Sequence, residues 1–251
     1  MLRLLICKAG IQRKSPALNW SSKIDDRKKY REVGLSLIEN RSDLGNSDAL
    51  AVLAALASDI VADGKDKLEA TSLDLTSGNQ RLLKSLQELS ADLSKSPKRS
   101  GYVPPGAAAF KEAIFGPWRY QDTAHSLGWD PQTQRLHALR HKLPEQDKAG
   151  RSVRAAVFLA SQAFPLFPCF AVNGKLRTTG FHPEGRDEYF AWPIWREPIS
   201  LCALRSLLAL PLNDLRMRGV EVVYRCRRVR TGGSEGNYQI FSNAEEWPWR
   251  A

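Results

Sequence analysis

Two histidines in this chain have the spacing of a metal-binding pair. His137 and His141 are four residues apart, so on a helix they would share one face, with Glu145 one turn further on. The segment lacks the glutamate of an H-E-x-x-H motif, and residues 136–140 alternate between apolar and polar as a strand does. The pattern therefore favours a solvated polar face over a metal site.

Other side chains could act as a general base or as a nucleophile. His125 and His182 are the candidate bases, and Cys169, Cys202 and Ser200 are the candidate nucleophiles. The chain has no G-x-S-x-G elbow and no cysteine-protease signature around them. Ser200 stands directly before a helical pattern, so we expect it to cap a helix.

The glycine-rich segment at residues 231–236 is the only candidate for a phosphate-binding loop. It lacks the Lys-Ser/Thr ending of such loops and no helical pattern follows it, so we interpret it as a turn. We therefore predict no catalytic residue, no metal ligand and no cofactor. A nuclease that uses His125, His137 or His182 remains the alternative from the enzyme class.

Positive charge is the strongest signal in the sequence. The 37 Lys and Arg residues exceed the 27 Asp and Glu residues, which gives a formal net charge of +10. Arginine forms bidentate contacts with phosphate, and an aromatic ring such as that of Tyr224 can stack on a base. We predict a polyanion-binding surface formed by a carboxyl-terminal arginine group and two lysines of a basic amino-terminal segment: Arg205, Arg216, Arg218, Arg225, Arg227, Arg228, Arg230, Lys28 and Lys29. A solvated basic strand on a basic protein and a basic surface that meets an acidic protein are the alternatives.

Helices dominate the elements predicted for the first half. Residues 2–7 and 17–20 form short strands in this interpretation, and helical spacing begins near Asp25 with Tyr30, Val33 and Leu37. Further helices are predicted over residues 49–61, 79–93 and 107–115, the last closed by Gly116-Pro117. A segment rich in Ser, Lys, Pro and Gly at residues 94–106 separates two predicted domains, a mostly helical one at 1–96 and an α+β one at 107–251.

Short strands and turns dominate the second half. Asn173-Gly174 supplies the positive φ angles of a two-residue hairpin turn between strands at residues 169–172 and 175–181. Helices are predicted at 153–164 and 201–210, and strands at 219–229 and 238–242, the first placing Arg225 and Arg227 on one face and Arg228 and Arg230 on the other. The fold class is α+β, with a helical amino-terminal half and a mixed antiparallel-sheet and helix carboxyl-terminal half.

The four cysteines indicate a reducing compartment. They lie far apart and form no C-x-x-C pair, so neither a zinc ribbon nor a disulfide framework is indicated. No apolar run approaches the roughly 20 residues that a bilayer span needs. We expect a cytoplasmic protein with no membrane partner.

Six short phrases occur in order along the chain: LTSGNQRLL at 75–83, FGPWRY at 115–120, LGWDP at 127–131, FPLFP at 164–168, LRTTGF at 176–181 and WPIWREP at 192–198. Together they resemble a poorly annotated bacterial family associated with CRISPR type I loci of the I-U/I-G kind. Family members carry more sequence before the helical region, and the phrase after Trp129-Asp130-Pro131 differs here.

This resemblance implies a non-catalytic role. A member would be a subunit, of the large-subunit class, of an RNA-guided surveillance complex. It would contact the backbone of crRNA or target DNA and neighbouring subunits while another protein cuts. Such complexes leave sequence recognition to guide pairing and use the protein for backbone contacts.

Overall fold

The computed structural model describes residues 26–40, 46–76, 81–93, 105–120, 122, 126–132, 152–233 and 236–249. The strands predicted at 2–7 and 17–20 lie outside these residues, as do His125, His137, His141 and the basic side chains before residue 26.

The helices form where apolar spacing and capping residues predicted them, with shifted ends. They are α1 (Arg27–Glu39), α2 (Asn46–Leu56), α3 (Leu82–Leu93), α4 (Pro105–Phe115), α5 (Arg154–Gln162) and α6 (Leu201–Leu208), with 3-10 helices η1 (Phe164–Leu166) and η2 (Leu212–Arg218). Asp26 caps α1 by accepting from the Lys29 N–H at 2.9 Å. Ser200 caps α6 by accepting from the Ala203 N–H at 3.1 Å, which confirms its predicted role.

The prediction that α2 runs to residue 61 is wrong. Its last residue is Leu56, and the Leu56 carbonyl accepts from the Thr71 N–H at 3.1 Å. The chain after Leu56 therefore turns away into a loop that returns against the helix end. Long-range hydrogen bonding of this kind cannot be read from apolar spacing.

The strands form two antiparallel units. The first is the ribbon of β1 (Cys169–Val172) and β2 (Lys175–Thr178), joined by Asn173-Gly174 with φ angles of 50° and 71° as predicted. The second is a sheet in the order β3 (Phe181–Glu184), β4 (Asp187–Trp195), β5 (Val220–Gly233) and β6 (Gly236–Phe241). The short β7 (Glu245–Glu246) pairs with β5 beyond the end of β6. The turn predicted at 231–236 is shorter than expected, because β5 continues to Gly233 and β6 begins at Gly236.

Pairing of β4 with β5 gives the sheet two covered faces. Phe190 lies opposite Cys226 and Trp192 opposite Tyr224, while Ala191 lies opposite Arg225. Successive side chains of a strand point to opposite faces. Cys226, Phe190 and Trp192 pack with the larger buried cluster, and Ala191 packs with a second, smaller one.

The larger cluster draws on both halves of the chain. Leu53 and Leu86 of the helical half pack in it together with Phe158, Phe181 and Phe241 of the second half. The structure is α+β, with helices mostly in the first half and antiparallel strands in the second, as predicted. No helix of the described residues has both the length and the apolar character needed to cross a membrane.

The smaller cluster fixes η2 against the sheet. It contains Leu207, Leu212, Leu215, Val220 and Val223. The residue after η2 is Gly219, which adopts a left-handed φ of 75° and ends the helix. With three residues per turn, Leu212 and Leu215 share one side of η2. The other sides of this helix are left to solvent.

We expect Leu215→Ala to lower the free energy of unfolding by about 2–5 kcal/mol, because it leaves a cavity at a side chain that is 1% exposed. Met217→Ala, two residues along the same helix but 86% exposed, should change it by less than about 0.5 kcal/mol. Urea unfolding followed by circular dichroism checks both values. Equal effects would contradict the burial of Leu215.

Candidate nucleic-acid interface

His182 is the candidate general base that lies among the described residues. His182 lies on β3 and is half-buried, and burial lowers the pKa of its imidazole below the usual value. Among the residues that the structure describes, no group of three or more His, Cys, Asp or Glu side chains could hold a metal ion.

Nothing that the structure describes around the candidate nucleophiles Cys169, Cys202 and Ser200 activates them for attack. The Cys169 thiol donates to the Ala55 carbonyl at 3.3 Å, and burial raises its pKa. Cys202 is exposed on α6. Ser200 is the cap of that helix. A thiol that is harder to ionise is a weaker nucleophile at neutral pH.

Arg225 is held in a cage of acids and aromatic rings. Its guanidinium group donates to Glu184 and to Glu245, each at 2.7 Å. The same group lies 4.2 Å from the ring centre of Tyr189 and 4.7 Å from that of Trp247. Only 12% of the side chain is exposed. The charge of Arg225 is therefore neutralised by carboxylates of the fold itself.

Arg227 and Arg228 are also paired with acids of β4. Arg227 donates to Asp187 at 3.4 Å, and both side chains remain about half-exposed. Arg228 donates to Glu188 at 2.9 Å and to the Gln239 side-chain carbonyl at 2.7 Å, and 15% of it is exposed. Glu188 also accepts from the Ser72 hydroxyl at 3.1 Å, which ties this pair to the loop after α2.

The predicted arginine strand thus alternates as expected, but acids cover both of its faces. The sequence around β5 holds more arginine than acid, while the compensating carboxylates come from the β3–β4 hairpin and from β7. Arg225, Arg227 and Arg228 were predicted to bind a polyanion; in the structure each of them already donates to at least one carboxylate of the fold.

Tyr224 and the neighbouring tryptophan stack on each other. The rings of Tyr224 and Trp192 lie 6.2 Å apart at an angle of 28°, and Tyr224 is 36% exposed. Trp192 packs against the larger buried cluster. The pair therefore contributes to the core as well as to the surface.

Lys28 and Lys29 lie on a different element from the carboxyl-terminal arginines. Both are on α1, which packs against α2. Neighbouring cations of this helix are paired with acids, Arg27 with Asp66 at 3.0 Å and Arg31 with Asp59 at 2.8 Å. Lys28 is exposed. The structure does not bring these lysines together with the arginine group.

Four of the predicted arginines are exposed and have no acid partner among the described residues. Arg205 lies on α6, Arg216 and Arg218 lie on η2, and Arg230 lies on β5 two residues beyond Arg228. The first three belong to the two consecutive helices that cover the smaller buried cluster. We call Arg205, Arg216 and Arg218 the helical arginine group.

One basic surface was not predicted. Phe170 lies opposite Arg177 and Val172 opposite Lys175 on the outward face of the β1–β2 ribbon. The strand alternation on either side of Asn173-Gly174 was sufficient to place these four side chains on one face. Charge density along the sequence did not mark them, because only two of the four are cations.

We expect Arg225→Ala to destabilise the fold by about 2 kcal/mol or more. It leaves two carboxylates without their partner and removes the packing on Tyr189 and Trp247. Partial solvation of Glu184 and Glu245 reduces the loss below that of a fully buried pair. Arg216→Ala should change the free energy of unfolding by less than about 0.5 kcal/mol. Chemical denaturation measures both, and a similar small effect would contradict a structural role for Arg225.

Comparison of the chain with models of protein families, with curated proteins and with solved structures gave no match.

Proposed function

We propose that this protein is a non-catalytic nucleic-acid-binding subunit of an RNA-guided assembly and that it holds the phosphate backbone through the helical arginine group. The observation that carries the proposal is the exposure of Arg205, Arg216 and Arg218 with no acid partner in the described part of the chain. Exposed guanidinium groups keep their donors available for phosphate.

The contrast with the other arginines supports this choice. Ion pairs within the fold hold the guanidinium groups of Arg27, Arg31, Arg154, Arg196, Arg225, Arg227 and Arg228. The three arginines of the helical arginine group have no such partner among the described residues, and they lie within residues 205–218 of the sequence. Asp214 is the one acid within η2, and Glu221 just after it is paired with Arg196 at 2.8 Å. Cations therefore outnumber unpaired acids on this surface.

Rigid placement adds to the electrostatic argument. Leu212 and Leu215 anchor η2 in the smaller buried cluster, and Leu207 anchors α6 in the same cluster. The backbone that carries the three arginines is therefore fixed before any ligand binds. Preorganised cations lose less conformational entropy on binding than cations on a mobile tail.

The wider role follows from the resemblance described above. The helical arginine group would contact crRNA or target DNA, neighbouring subunits would complete the binding channel, and another protein would cut. Two observations support this assignment: the exposed arginines and the sequence phrases that resemble the CRISPR-associated family. Guide pairing would supply the sequence specificity, so backbone contacts are sufficient for this subunit.

We expect Arg216→Ala/Arg218→Ala to weaken binding of fluorescein-labelled oligonucleotides, measured by fluorescence anisotropy between about 50 and 200 mM salt. Each lost phosphate contact should reduce the slope of log affinity against log salt by about 0.7 for single strands and about 0.9 for duplex DNA. Arg196→Ala/Arg227→Ala removes the same formal charge from arginines that are already paired, and should change the slope less.

Four results would contradict the proposal. An affinity that does not change with salt concentration would show that the helical arginine group makes no phosphate contact. An equal loss of oligonucleotide affinity in the two double variants would show the same. Cleavage of the same oligonucleotides with Mg²⁺, Mn²⁺ or Zn²⁺, abolished by His182→Ala while binding persists, would favour a nuclease. Salt-sensitive binding to an acidic protein alone would favour a protein-binding surface.

We expect the affinity-tagged protein, expressed from its own locus, to copurify with stoichiometric protein subunits and with a guide RNA that has uniform ends. The Arg216→Ala/Arg218→Ala variant should retain less RNA than the Arg196→Ala/Arg227→Ala control. Sequencing of the bound RNA and mass spectrometry of the partners check this. A protein that purifies alone and free of RNA would contradict the assembly role.

A further inference from the structure

The β1–β2 ribbon presents an aromatic and basic face to solvent. Phe170 is 47% exposed and Val172 is 41% exposed. Arg177 lies directly opposite Phe170, and Lys175 lies opposite Val172. Cross-strand neighbours have Cβ atoms roughly 5 Å apart, so a ligand that covers the phenyl ring comes within reach of both cations.

The inward face of the ribbon is locked into the fold. Leu176 and Thr178 are buried, and the Thr178 hydroxyl lies 3.2 Å from that of Thr71 and accepts from the Ser72 N–H at 3.0 Å. Cys169 donates to the Ala55 carbonyl of α2. The exposed ring of Phe170 therefore stands on a rigid platform and cannot turn into the core, because alternation of the strand fixes its side.

The cations of this face are available to a ligand. Neither Lys175 nor Arg177 has an acid partner among the described residues, in contrast to Arg225, Arg227 and Arg228. Among the described residues, the acid that hydrogen-bonds to the ribbon is Glu69, whose carboxylate accepts from the Leu176 N–H at 3.2 Å. Charge complementarity thus favours an anionic partner.

We propose that the outward face of the β1–β2 ribbon binds single-stranded nucleic acid, with an unpaired base stacked on Phe170 and the flanking phosphates held by Lys175 and Arg177. An exposed aromatic ring between cations suits a ligand that carries π-faces and negative charge together. A duplex keeps its base faces inside the stack, so the ribbon selects unpaired strands. Val172 extends the apolar surface beside the ring.

This inference deepens the proposed function and rests on it. The helical arginine group supplies phosphate contacts that do not depend on strandedness. The ribbon adds a preference for unpaired strands. The two surfaces lie on different elements, so separate variants test them.

We expect Phe170→Leu, which keeps an apolar side chain but removes the ring, to weaken binding of a labelled single-stranded oligonucleotide about tenfold. Phe170→Tyr, which keeps the ring, should bind within about twofold of the unaltered protein. Duplex binding should be the same in all three proteins. Fluorescence anisotropy with single-stranded and duplex oligonucleotides at one salt concentration measures the affinities, and thermal unfolding verifies that the variants remain folded.

The salt dependence of binding tests whether Lys175 and Arg177 contact phosphates. Lys175→Ala/Arg177→Ala should reduce the salt slope for a single strand by about 1.4, which is two phosphate contacts. Arg186→Ala, at an exposed arginine on the β3–β4 turn, is the control for the loss of one positive charge away from the ribbon and should leave the slope unchanged.

The outcomes separate this proposal from the one before it. If Phe170→Leu binds single strands like the unaltered protein while Arg216→Ala/Arg218→Ala loses affinity, the ribbon proposal is overturned and the proposed function stands. Equal losses for single strands and duplex in Phe170→Leu would also overturn it. If no oligonucleotide binds the unaltered protein, both proposals fail. Loss of a protein partner, with oligonucleotide binding intact, would identify the ribbon as a protein interface instead.

Discussion

Antiparallel pairing between β4 and β5 determines where nearly every important side chain of the second half lies. It brings Phe190 opposite Cys226 and thereby builds the sheet face of the larger buried cluster. The same register places Ala191 opposite Arg225 on the other face, against the smaller cluster. A slip of one residue would exchange these faces and expose the aromatic side chains, so both clusters hold this register.

Register also decides which arginines remain available for binding. Arg225, Arg227 and Arg228 lie close to carboxylates of β3, β4 and β7 because β4 and β7 pair with β5 and β3 pairs with β4. A cation that is 12% exposed, like Arg225, requires an anionic partner, because an uncompensated buried charge costs several kcal/mol. Arg216 and Arg218 are exposed, so water solvates their charges and this desolvation cost does not arise. Burial thus divides the arginines into those that stabilise the sheet and those that remain available to a ligand.

The two surfaces proposed for binding have a common construction. In each, buried apolar residues fix a short element, Leu212 and Leu215 in η2 and Leu176 in β2, and the same element carries cations that no acid of the described residues pairs with. Short, anchored elements lose little conformational entropy when a ligand binds. The aromatic ring distinguishes the ribbon from the helical arginine group and gives it a contact that phosphate alone cannot make. A ligand that offers both a phosphate backbone and unpaired bases would contact both surfaces.

The sequence by itself determined the elements that depend on local chemistry. Asn173-Gly174 predicted the ribbon turn, Ser200 predicted the start of α6, and leucines at helical spacing predicted α3, because turns, caps and amphipathic stripes are encoded within a few residues. Only the tertiary structure decided that Leu56 ends α2, that Glu184 and Glu245 surround Arg225, and that Arg216 stays exposed. These outcomes depend on contacts between residues 15 to 41 positions apart or on burial by other elements. A local pattern shows how many arginines a strand carries, whereas the packing of distant strands decides which of their charges are neutralised.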